Sequence, residues 1–261
     1  MKLLVQSDDY GISKAQAHSC IEGIRNGLIR NTGFFTNMPW AEECAEWIRP
    51  YLNQIAFGID LNITTGKSVL PHHQIPTITK EDNSFISSWE SRKMDQTAPD
   101  HEHAAYEEVL AEFDAQIRRF IQFVGKKPDY IHSHAYNTPN IMKAHRELAT
   151  KYELPYSSDV MKKTVGFGIP DYHIEWYQRP STLENQAASS LKDYILSNGN
   201  SWLAEDCHFL IGHMGYVDQE LIELTSYTLY RMTDLAGITD PEVLEWVKNS
   251  GIELISYKDI C

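Results

Sequence analysis

The chain has 261 residues, of which 42% are hydrophobic and 23% are charged, and its formal net charge is −13 from 23 basic and 36 acidic side chains. This length is typical of a single α/β barrel domain, and the composition is that of an ordinary globular protein. The acidic balance argues against nucleic acid and anionic membranes as partners, because both bind clustered lysine and arginine.

Strand patterns and helix patterns alternate along the chain. Predicted strands cover residues 2–7, 32–35, 55–63, 130–134, 207–213 and 252–256, and predicted helices cover residues 14–26, 42–52, 106–124, 141–152, 183–198 and 241–249. We expect a long loop at residues 64–100 and irregular structure at residues 159–180. Alternating strands and helices indicate a parallel sheet. The sequence therefore predicts an α/β fold, a single TIM-like or distorted β/α barrel domain spanning residues 1–261.

The cysteines and the first residues bear on the cellular compartment. The four cysteines are widely spaced and form no C-x-x-C pair, which favours reduced thiols over a disulfide framework or a zinc ribbon. The chain enters a strand without a charged and apolar leader, and no apolar run approaches the ~20 residues of a membrane span. We therefore expect a cytoplasmic protein with no membrane partner.

Two adjacent acidic residues, Asp8 and Asp9, follow the apolar strand that opens the chain. Two neighbouring carboxylates cannot both stay comfortably ionised without a cation close by, and a metal ion is the simplest one. One carboxylate would bind the metal, and the other would act as a base on a water molecule. The alternative is an Asx-type turn followed by a helix whose N-cap is Ser13.

Other residues that can bind metal stand at the ends of further predicted strands. They are Asp60, His134 and His213. Parallel strands deliver their carboxyl ends to one face of a barrel, so we expect these side chains to meet Asp8 and Asp9 there. His132 lies two residues before His134, on the same face of its strand, and we expect it to support His134 or a carboxylate.

Six short motifs follow one another along the chain. They are D-D-Y-G-I-S at 8–13, N-G-L-I at 26–29, F-G-I-D-L-N-I-T at 57–64, K-P-D-Y-I-H-S-H at 127–134, G-H-M-G-Y-V-D at 212–218 and Y-R-M-T-D-L at 230–235. In content and order they resemble the motifs of the YdjC-like carbohydrate deacetylases, the family that includes chitooligosaccharide deacetylase. The resemblance runs nearly from end to end.

The resemblance implies a TIM-like barrel with one divalent metal, a small sugar substrate and a homodimer. A water activated by the metal would attack an acetamide carbonyl, a carboxylate would take the proton of this water, and an acid would protonate the leaving amine. Residue by residue, it implies Asp9, Asp60 and His134 as metal ligands, Asp8 as the base, His213 as the acid or as a group that polarises the carbonyl, Arg231 as a bidentate partner of Asp8 or Asp9, and His132, Tyr136 and Tyr216 in substrate-binding or supporting positions.

The chain departs from the family pattern at Asp60, at His132, in the run that follows His134 and at Met214, and the first two departures bear on the metal. Asp60 stands where the family has its first metal-binding histidine, and His132 stands where the family has an aspartate. Two aspartates and one histidine form a harder ligand set, which favours Mg²⁺ or Mn²⁺ over Zn²⁺ relative to the family pattern. We expect Mg²⁺ or Zn²⁺, with Mn²⁺ as a third option. Two alternatives stay open: a catalytically impaired relative that binds sugar, and a metal-dependent barrel enzyme of other chemistry, such as a sugar isomerase.

Overall fold

Six strands and eleven helices are present in the computed structural model, which describes residues 1–260 and leaves Cys261 outside. The strands are β1 (Lys2–Tyr10), β2 (Asn31–Phe34), β3 (Ala56–Leu61), β4 (Ile131–Ser133), β5 (Cys207–Gly212) and β6 (Glu253–Ile255). The helices are α1 (Lys14–Asn26), α2 (Ala41–Ile48), α3 (Ser88–Asp95), α4 (Tyr106–Val124), α5 (Pro139–Tyr152), α6 (Ser157–Val165), α7 (Leu183–Ala188), α8 (Leu191–Trp202), α9 (Gln219–Leu224), α10 (Leu229–Thr239) and α11 (Pro241–Asn249).

The strands form one parallel sheet in the order β4-β3-β2-β1-β5, and β6 pairs with β1. The start of β1 pairs with β6, whereas its second half pairs with β2. Within residues 1–260 the strands β4 and β5, which end this order, do not pair with each other, so the sheet is not closed. The parallel α/β fold predicted from the sequence is confirmed, and its sheet is open.

The central strand β1 is buried on both faces, as expected of a parallel sheet covered by helices. Leu3, Leu4 and Val5 have no exposed surface. A cluster of aromatic rings packs beside them, with Phe34 and Phe57 stacked at 5.4 Å between ring centroids. This core holds β1 between β2 and β5, and it thereby fixes the place of Asp8 and Asp9 at the end of β1.

Three of the predicted helices, α1, α4 and α11, begin and end at the predicted residues. Clear boundary signals explain this accuracy. Ser13 caps α1 by accepting a hydrogen bond from the Gln16 backbone N–H, and Gly125 ends α4 in a left-handed conformation with a φ of 83°. Ser13 thus has the N-cap role of the alternative interpretation, and Asp8 and Asp9 still lie at the predicted strand end.

Other predicted elements need correction. The irregular segment at 159–180 is wrong in its first part, because α6 runs to Val165 and ends at Gly166 with a φ of 90°. The loop at 64–100 contains α3, which a capping box formed by Ser87 and Glu90 begins. The helix at 42–52 ends as an α-helix at Ile48, and the helix at 183–198 is divided into α7 and α8.

No helix of residues 1–260 combines the length and the apolar character that crossing a membrane would take. Cys20, Cys44 and Cys207 are free thiols, as the sequence predicted.

The carboxyl ends of β1, β3 and β4 lie at the same edge of the sheet because the strands are parallel, and only β2 separates β1 from β3. The register of β1 against β2 is irregular between Ser7 and Tyr10, and Asp9 takes a left-handed φ of 67° there. This irregularity lets the two consecutive aspartates both contribute to the site. On β3 and β4, Asp60 and His132 are paired directly across the two strands.

Candidate active site

A cleft of about 840 Å³ opens at the carboxyl ends of the strands. Most of the side chains predicted for the site line it, namely Asp8, Asp9, His132, His134, His213 and Arg231. Asp60 lies beside these residues and is 1% exposed. The structure therefore brings these seven predicted residues to one place, where they form two groups.

Asp8, Asp60 and His132 form the one group of side chains within residues 1–260 that meets the geometry of a metal site, with one ligand atom from each inside 4.8 Å of the others. This group shares only Asp60 with the set of Asp9, Asp60 and His134 that the family resemblance implied. The difference arises because His134 turns to Asp9, while His132 turns to Asp8.

Each member of this group directs one possible metal-binding atom toward the other two. Oδ2 of Asp60 accepts a hydrogen bond from the Asp9 backbone N–H at 2.7 Å, whereas its buried Oδ1 has no hydrogen-bond partner. Oδ1 of Asp8 accepts from the Gln6 amide at 2.6 Å. Nδ1 of His132 lies 2.8 Å from the Ser157 hydroxyl, which leaves its Nε2 facing Oδ2 of Asp8 at 3.3 Å. A partner at the far nitrogen is typical of a histidine that binds metal.

The position of Asp60 depends on a glycine in the neighbouring strand. A Cβ atom at Gly33 would lie 1.5 Å from Oδ1 of Asp60, so any other residue at this point of β2 would displace the carboxylate. The strand therefore leaves a space in which the carboxylate of Asp60 sits.

The charges of the group are unusual for a buried site. Burial raises the pKa of Asp60 to about 7, and the negative charges of Asp8 and Asp9 add to this effect. Burial also opposes ionisation of Asp8, but the charge of His132 and a hydrogen bond from it outweigh burial and lower the pKa of Asp8. In turn Asp8 raises the pKa of His132 to about 9 against the effect of burial. A protonated His132 thus supplies the positive charge that these carboxylates need.

These donors fit a divalent cation. Two carboxylates and one imidazole are a donor set that Mg²⁺, Mn²⁺ and Zn²⁺ all accept. The buried Oδ1 of Asp60 is a hydrogen-bond acceptor without a partner. A buried, unsatisfied carboxylate oxygen costs free energy unless a cation or a proton binds it. His132, Asp8 and Asp60 would hold the ion.

Asp9 belongs to a second group beside the first. It has no exposed side-chain surface, and Nη2 of Arg231 donates to its Oδ2 at 2.5 Å. Nδ1 of His134 lies 2.8 Å from Oδ1 of Asp9, and Nε2 of His213 lies 4.0 Å from Oδ2. Burial opposes the charge of Asp9, but His134 and Arg231 outweigh it and hold the pKa of Asp9 well below its usual range. Asp9 is therefore ionised at neutral pH.

His213 follows β5 and faces Asp9 from the other side of the cleft. Burial lowers the pKa of His213 to about 4. The charge of Asp9 raises this pKa, but the charge of Arg231 opposes the effect of Asp9. The imidazole is therefore neutral at neutral pH and can exchange a proton at Nε2.

Arg231 contacts Asp9, one of the two aspartates predicted for it, but the contact is not the expected bidentate one. Only Nη2 reaches the carboxylate, while Nε donates to the Tyr227 carbonyl oxygen at 2.9 Å and Nη1 is buried without a partner. The guanidinium is thus held by its own helix as well as by Asp9, and its position is fixed from two sides.

Two residues predicted for substrate contact lie elsewhere. The Tyr136 hydroxyl is buried and donates to Asp95, and the Tyr216 hydroxyl donates to Glu22 near the surface. Neither side chain lines the cleft. The Tyr136 interaction instead ties α3 to the segment that follows His134.

Several residues of the site were not singled out from the sequence. Gln6 and Ser157 support Asp8 and His132, and Tyr177 lines the cleft beside His213. Asp234 is buried behind His213, and burial raises its pKa to about 7 although hydrogen bonds from Tyr177, from the His213 backbone and from Trp176 lower it. Tyr177 stands in the segment predicted to be irregular, so only the fold shows its neighbours. Asp234 lies in the motif Y-R-M-T-D-L, which was the one available clue.

Comparison with known proteins places the whole chain. A family model described as YdjC-like protein matches residues 2–249. Carbohydrate deacetylase 2 of Listeria innocua is 29% identical over 100% of this chain and 99% of its own length. Chitooligosaccharide deacetylase of Proteus mirabilis is 24% identical over 99% of this chain and 98% of its own length.

A solved structure agrees with the fold. The crystal structure of a protein from Enterococcus faecalis V583, named as a candidate cellobiose-phosphate cleavage protein, has a TM-score of 0.77 with this chain at 24% identity. The match covers 100% of this chain and 98% of the other. At this identity the likeness concerns the fold.

Replacing Arg231 by methionine should destabilise the protein strongly, because it leaves Asp9 buried without its permanent cation. We expect Arg231→Met to lower the free energy of unfolding by about 3–5 kcal/mol. Urea denaturation of the metal-free protein at neutral pH measures this change. Arg146→Met is the matched control, because Arg146 pairs with Asp159 at the surface and such pairs contribute about 1 kcal/mol or less. Equal, small losses in both variants would contradict this interpretation of Arg231.

Proposed function

The chain belongs to the YdjC-like family, and from this membership together with the site geometry we propose that it is a metal-dependent carbohydrate deacetylase. The substrate class is an N-acetylated sugar or short oligosaccharide, from which the enzyme removes acetate by hydrolysis of the amide bond. The named relatives match along nearly the full length of both chains, which supports carrying the activity over to this protein.

The cleft suits such a substrate in size and lining. Its volume of about 840 Å³ lies in the range of small-molecule sites. Its walls combine the aromatic rings of Tyr177 and Tyr227 with the hydroxyl groups of Thr64, Ser87 and Ser226. Aromatic faces pack against sugar rings, and hydroxyl groups exchange hydrogen bonds with sugar hydroxyls.

We assign the metal to Asp8, Asp60 and His132. This proposal replaces the ligand set implied by the resemblance, and the close grouping of these three side chains supports it. A bound divalent ion would act as a Lewis acid on the acetamide carbonyl and on the attacking water. With two carboxylates and one imidazole we favour Mg²⁺ or Mn²⁺, and Zn²⁺ is the alternative.

Asp9 and His213 carry the proton transfers in this proposal. Asp9 takes the base role that the resemblance gave to Asp8, because Asp8 is a ligand here and Asp9 is the ionised carboxylate beside it. Arg231 and His134 fix the Asp9 carboxylate so that it can accept the proton of the attacking water. Nε2 of His213 receives this proton from Asp9 and passes it to the nitrogen of the leaving amine.

The strongest support for this assignment is the division of the site into two neighbouring groups. Asp8, Asp60 and His132 can share a cation, while Asp9 is held by Arg231 and faces His213 across 4.0 Å. A general base must keep its charge and its orientation, and a ligand must keep a free lone pair. The two consecutive aspartates meet these separate needs. The homodimer implied by the resemblance and the cytoplasmic location stay predictions of the sequence.

Amide replacements of the two aspartates should separate their roles. We expect Asp9→Asn to lower the kcat for acetate release from N-acetylated chitooligosaccharides by roughly 100-fold or more while metal binding is kept. Asp8→Asn should lose metal binding and activity together. Acetate release and metal titration by calorimetry are measured on the same preparations, with Asp159→Asn as a surface control.

Three outcomes of this experiment would contradict the proposal. Loss of metal binding in Asp9→Asn with retention in Asp8→Asn would return the ligand role to Asp9. No acetate release by metal-loaded wild-type protein would favour the catalytically impaired relative. An isomerised sugar in place of acetate would favour the isomerase chemistry.

The two histidines of β4 offer a matched pair for the ligand assignment. We expect His132→Ala to weaken binding of Mn²⁺ by more than about 100-fold, and His134→Ala to weaken it by less than about 10-fold, because only His132 reaches the ligand group. Isothermal titration calorimetry with Mn²⁺ measures both values. The opposite order of the two variants would restore His134 as the ligand.

Metal binding should depend on pH because the cation must displace a proton. Without metal the pKa of His132 is about 9 and that of Asp60 is about 7, so at about pH 8 Asp60 is ionised and His132 still carries its proton. Metal affinity should therefore rise about 10-fold per pH unit between about pH 7.5 and pH 9 and level off above. Calorimetry at about pH 8 in buffers of different ionisation enthalpy should show release of about one proton per metal. A pH-independent affinity would mean that His132 is not a ligand.

A further inference from the structure

Asp234 on α10 is a buried carboxylate that no step above uses. It has no exposed surface and accepts three hydrogen bonds. The Trp176 Nε1–H donates to Oδ1 at 2.7 Å, and Oδ2 accepts from the Tyr177 hydroxyl at 2.6 Å and from the His213 backbone N–H at 3.0 Å. The approach is so close that a Cβ atom at Gly212 would lie 2.7 Å from Oδ2 of Asp234.

The direction of these hydrogen bonds follows from the donors. An indole N–H and a backbone N–H can only donate, so both oxygens of Asp234 act as acceptors. The Tyr177 hydroxyl has one proton, and at 2.6 Å from the ionised carboxylate this proton points to Asp234. The oxygen of Tyr177 is then left as an acceptor. Nδ1 of His213 lies 3.3 Å from this oxygen, and it must carry a proton to make the contact.

Neighbouring rings fix the place of Tyr177. Its ring stacks on that of Tyr230 with 3.9 Å between centroids and 3° between planes, and its edge meets Tyr227 at 5.8 Å. Tyr227 also contacts the His213 ring, at 5.6 Å. The hydroxyl of Tyr177 therefore cannot move away from His213 without breaking this stack.

We infer that Asp234 and Tyr177 form a hydrogen-bonded relay that holds His213 with its proton on Nδ1 and directs Nε2 to Asp9 and the cleft. Tyr177 and Asp234 are positioning residues, because they act on the reaction through His213. The catalytic consequence rests on the function proposed above. Nε2 takes up the proton that Asp9 removed from the attacking water, across the 4.0 Å between them, and passes it to the amine nitrogen as the C–N bond breaks. Nδ1–H, the Tyr177 hydroxyl and Asp234 keep their protonation throughout.

The tautomer of His213 can be read directly, without any reaction. Correlation spectra of ¹⁵N-labelled metal-free protein distinguish a protonated Nδ1 from a protonated Nε2, and His213→Gln identifies the signals. At about pH 8, above the pKa values of Asp234 and His213, we expect wild-type His213 to carry its proton on Nδ1. A proton on Nε2 in the wild-type protein would overturn the relay, and this measurement needs no variant to fold.

Two tyrosine variants test the relay itself. Tyr177→Phe removes the acceptor of Nδ1–H, so the Nδ1-protonated population of His213 should fall. Tyr230→Phe is the matched control, because it removes a neighbouring hydroxyl that donates to the Gln178 carbonyl oxygen, and it should leave the His213 signals unchanged. Unchanged signals in Tyr177→Phe would overturn the inference.

Kinetics separate a positioning role from a purely structural one. In Tyr177→Phe the kcat for acetate release should fall about 10-fold with KM changed less than about 2-fold, because His213 acts in the chemical step. Equal changes in Tyr177→Phe and Tyr230→Phe would overturn the positioning role. If wild-type protein releases no acetate, the proposed function fails, whereas the tautomer of His213 still decides the relay.

Discussion

The carboxylates of Asp8, Asp9 and Asp60 lie together near the carboxyl ends of β1 and β3, and all three are nearly or fully buried. Negative charges in such a place repel one another and lose their hydration, so the surroundings must supply positive charge. Arg231 gives Asp9 a permanent cation. The protonated ring of His132 gives Asp8 a positive charge that is lost when the ring releases its proton. Asp60 is left with a raised pKa and an unpartnered oxygen. A metal ion bound at this oxygen would offset the repulsion among the three carboxylates.

The helix α10 connects the two sides of the site. Arg231 and Asp234 are one helical turn apart, and both are buried. Arg231 holds the Asp9 carboxylate, and Asp234 accepts from the His213 backbone and from Tyr177. One helix thus supplies a cation to the proposed base and an anion behind the proposed acid. Because both contacts come from one rigid element, the distance between Asp9 and His213 is set by the packing of α10 against the sheet.

The same two residues explain why α10 could not be predicted from periodicity. A helix is recognised by apolar residues at spacings of three and four, but α10 places Arg231 and Asp234 on its buried face. The helices with clean apolar stripes and clear end signals, such as α4, were predicted to the residue. The apolar pattern therefore fails to predict the helix that carries two residues of the site.

The residues of the site were easier to predict than their grouping. Strand ends in a parallel sheet gather at one face, so Asp8, Asp9, Asp60, His132, His134 and His213 could be brought together from the sequence. Which carboxylate faces which histidine depends on the irregular register at the end of β1 and on the left-handed φ of Asp9. These features involve contacts between β1 and distant parts of the chain, such as Arg231, and no local pattern encodes them.

The two departures from the family pattern that bear on the metal become one change when they are placed on the sheet. Asp60 stands where the resemblance expects histidine, and His132 stands where it expects aspartate. These two residues are direct partners across β3 and β4. The exchange therefore keeps one carboxylate and one imidazole at the same pair of positions, with each on the opposite strand. The total charge and the number of donor atoms stay the same, whereas the direction from which each donor approaches is reversed. Asp60 considered alone suggested a damaged metal site. Considered together with His132, it leaves a donor set that still suits a divalent cation.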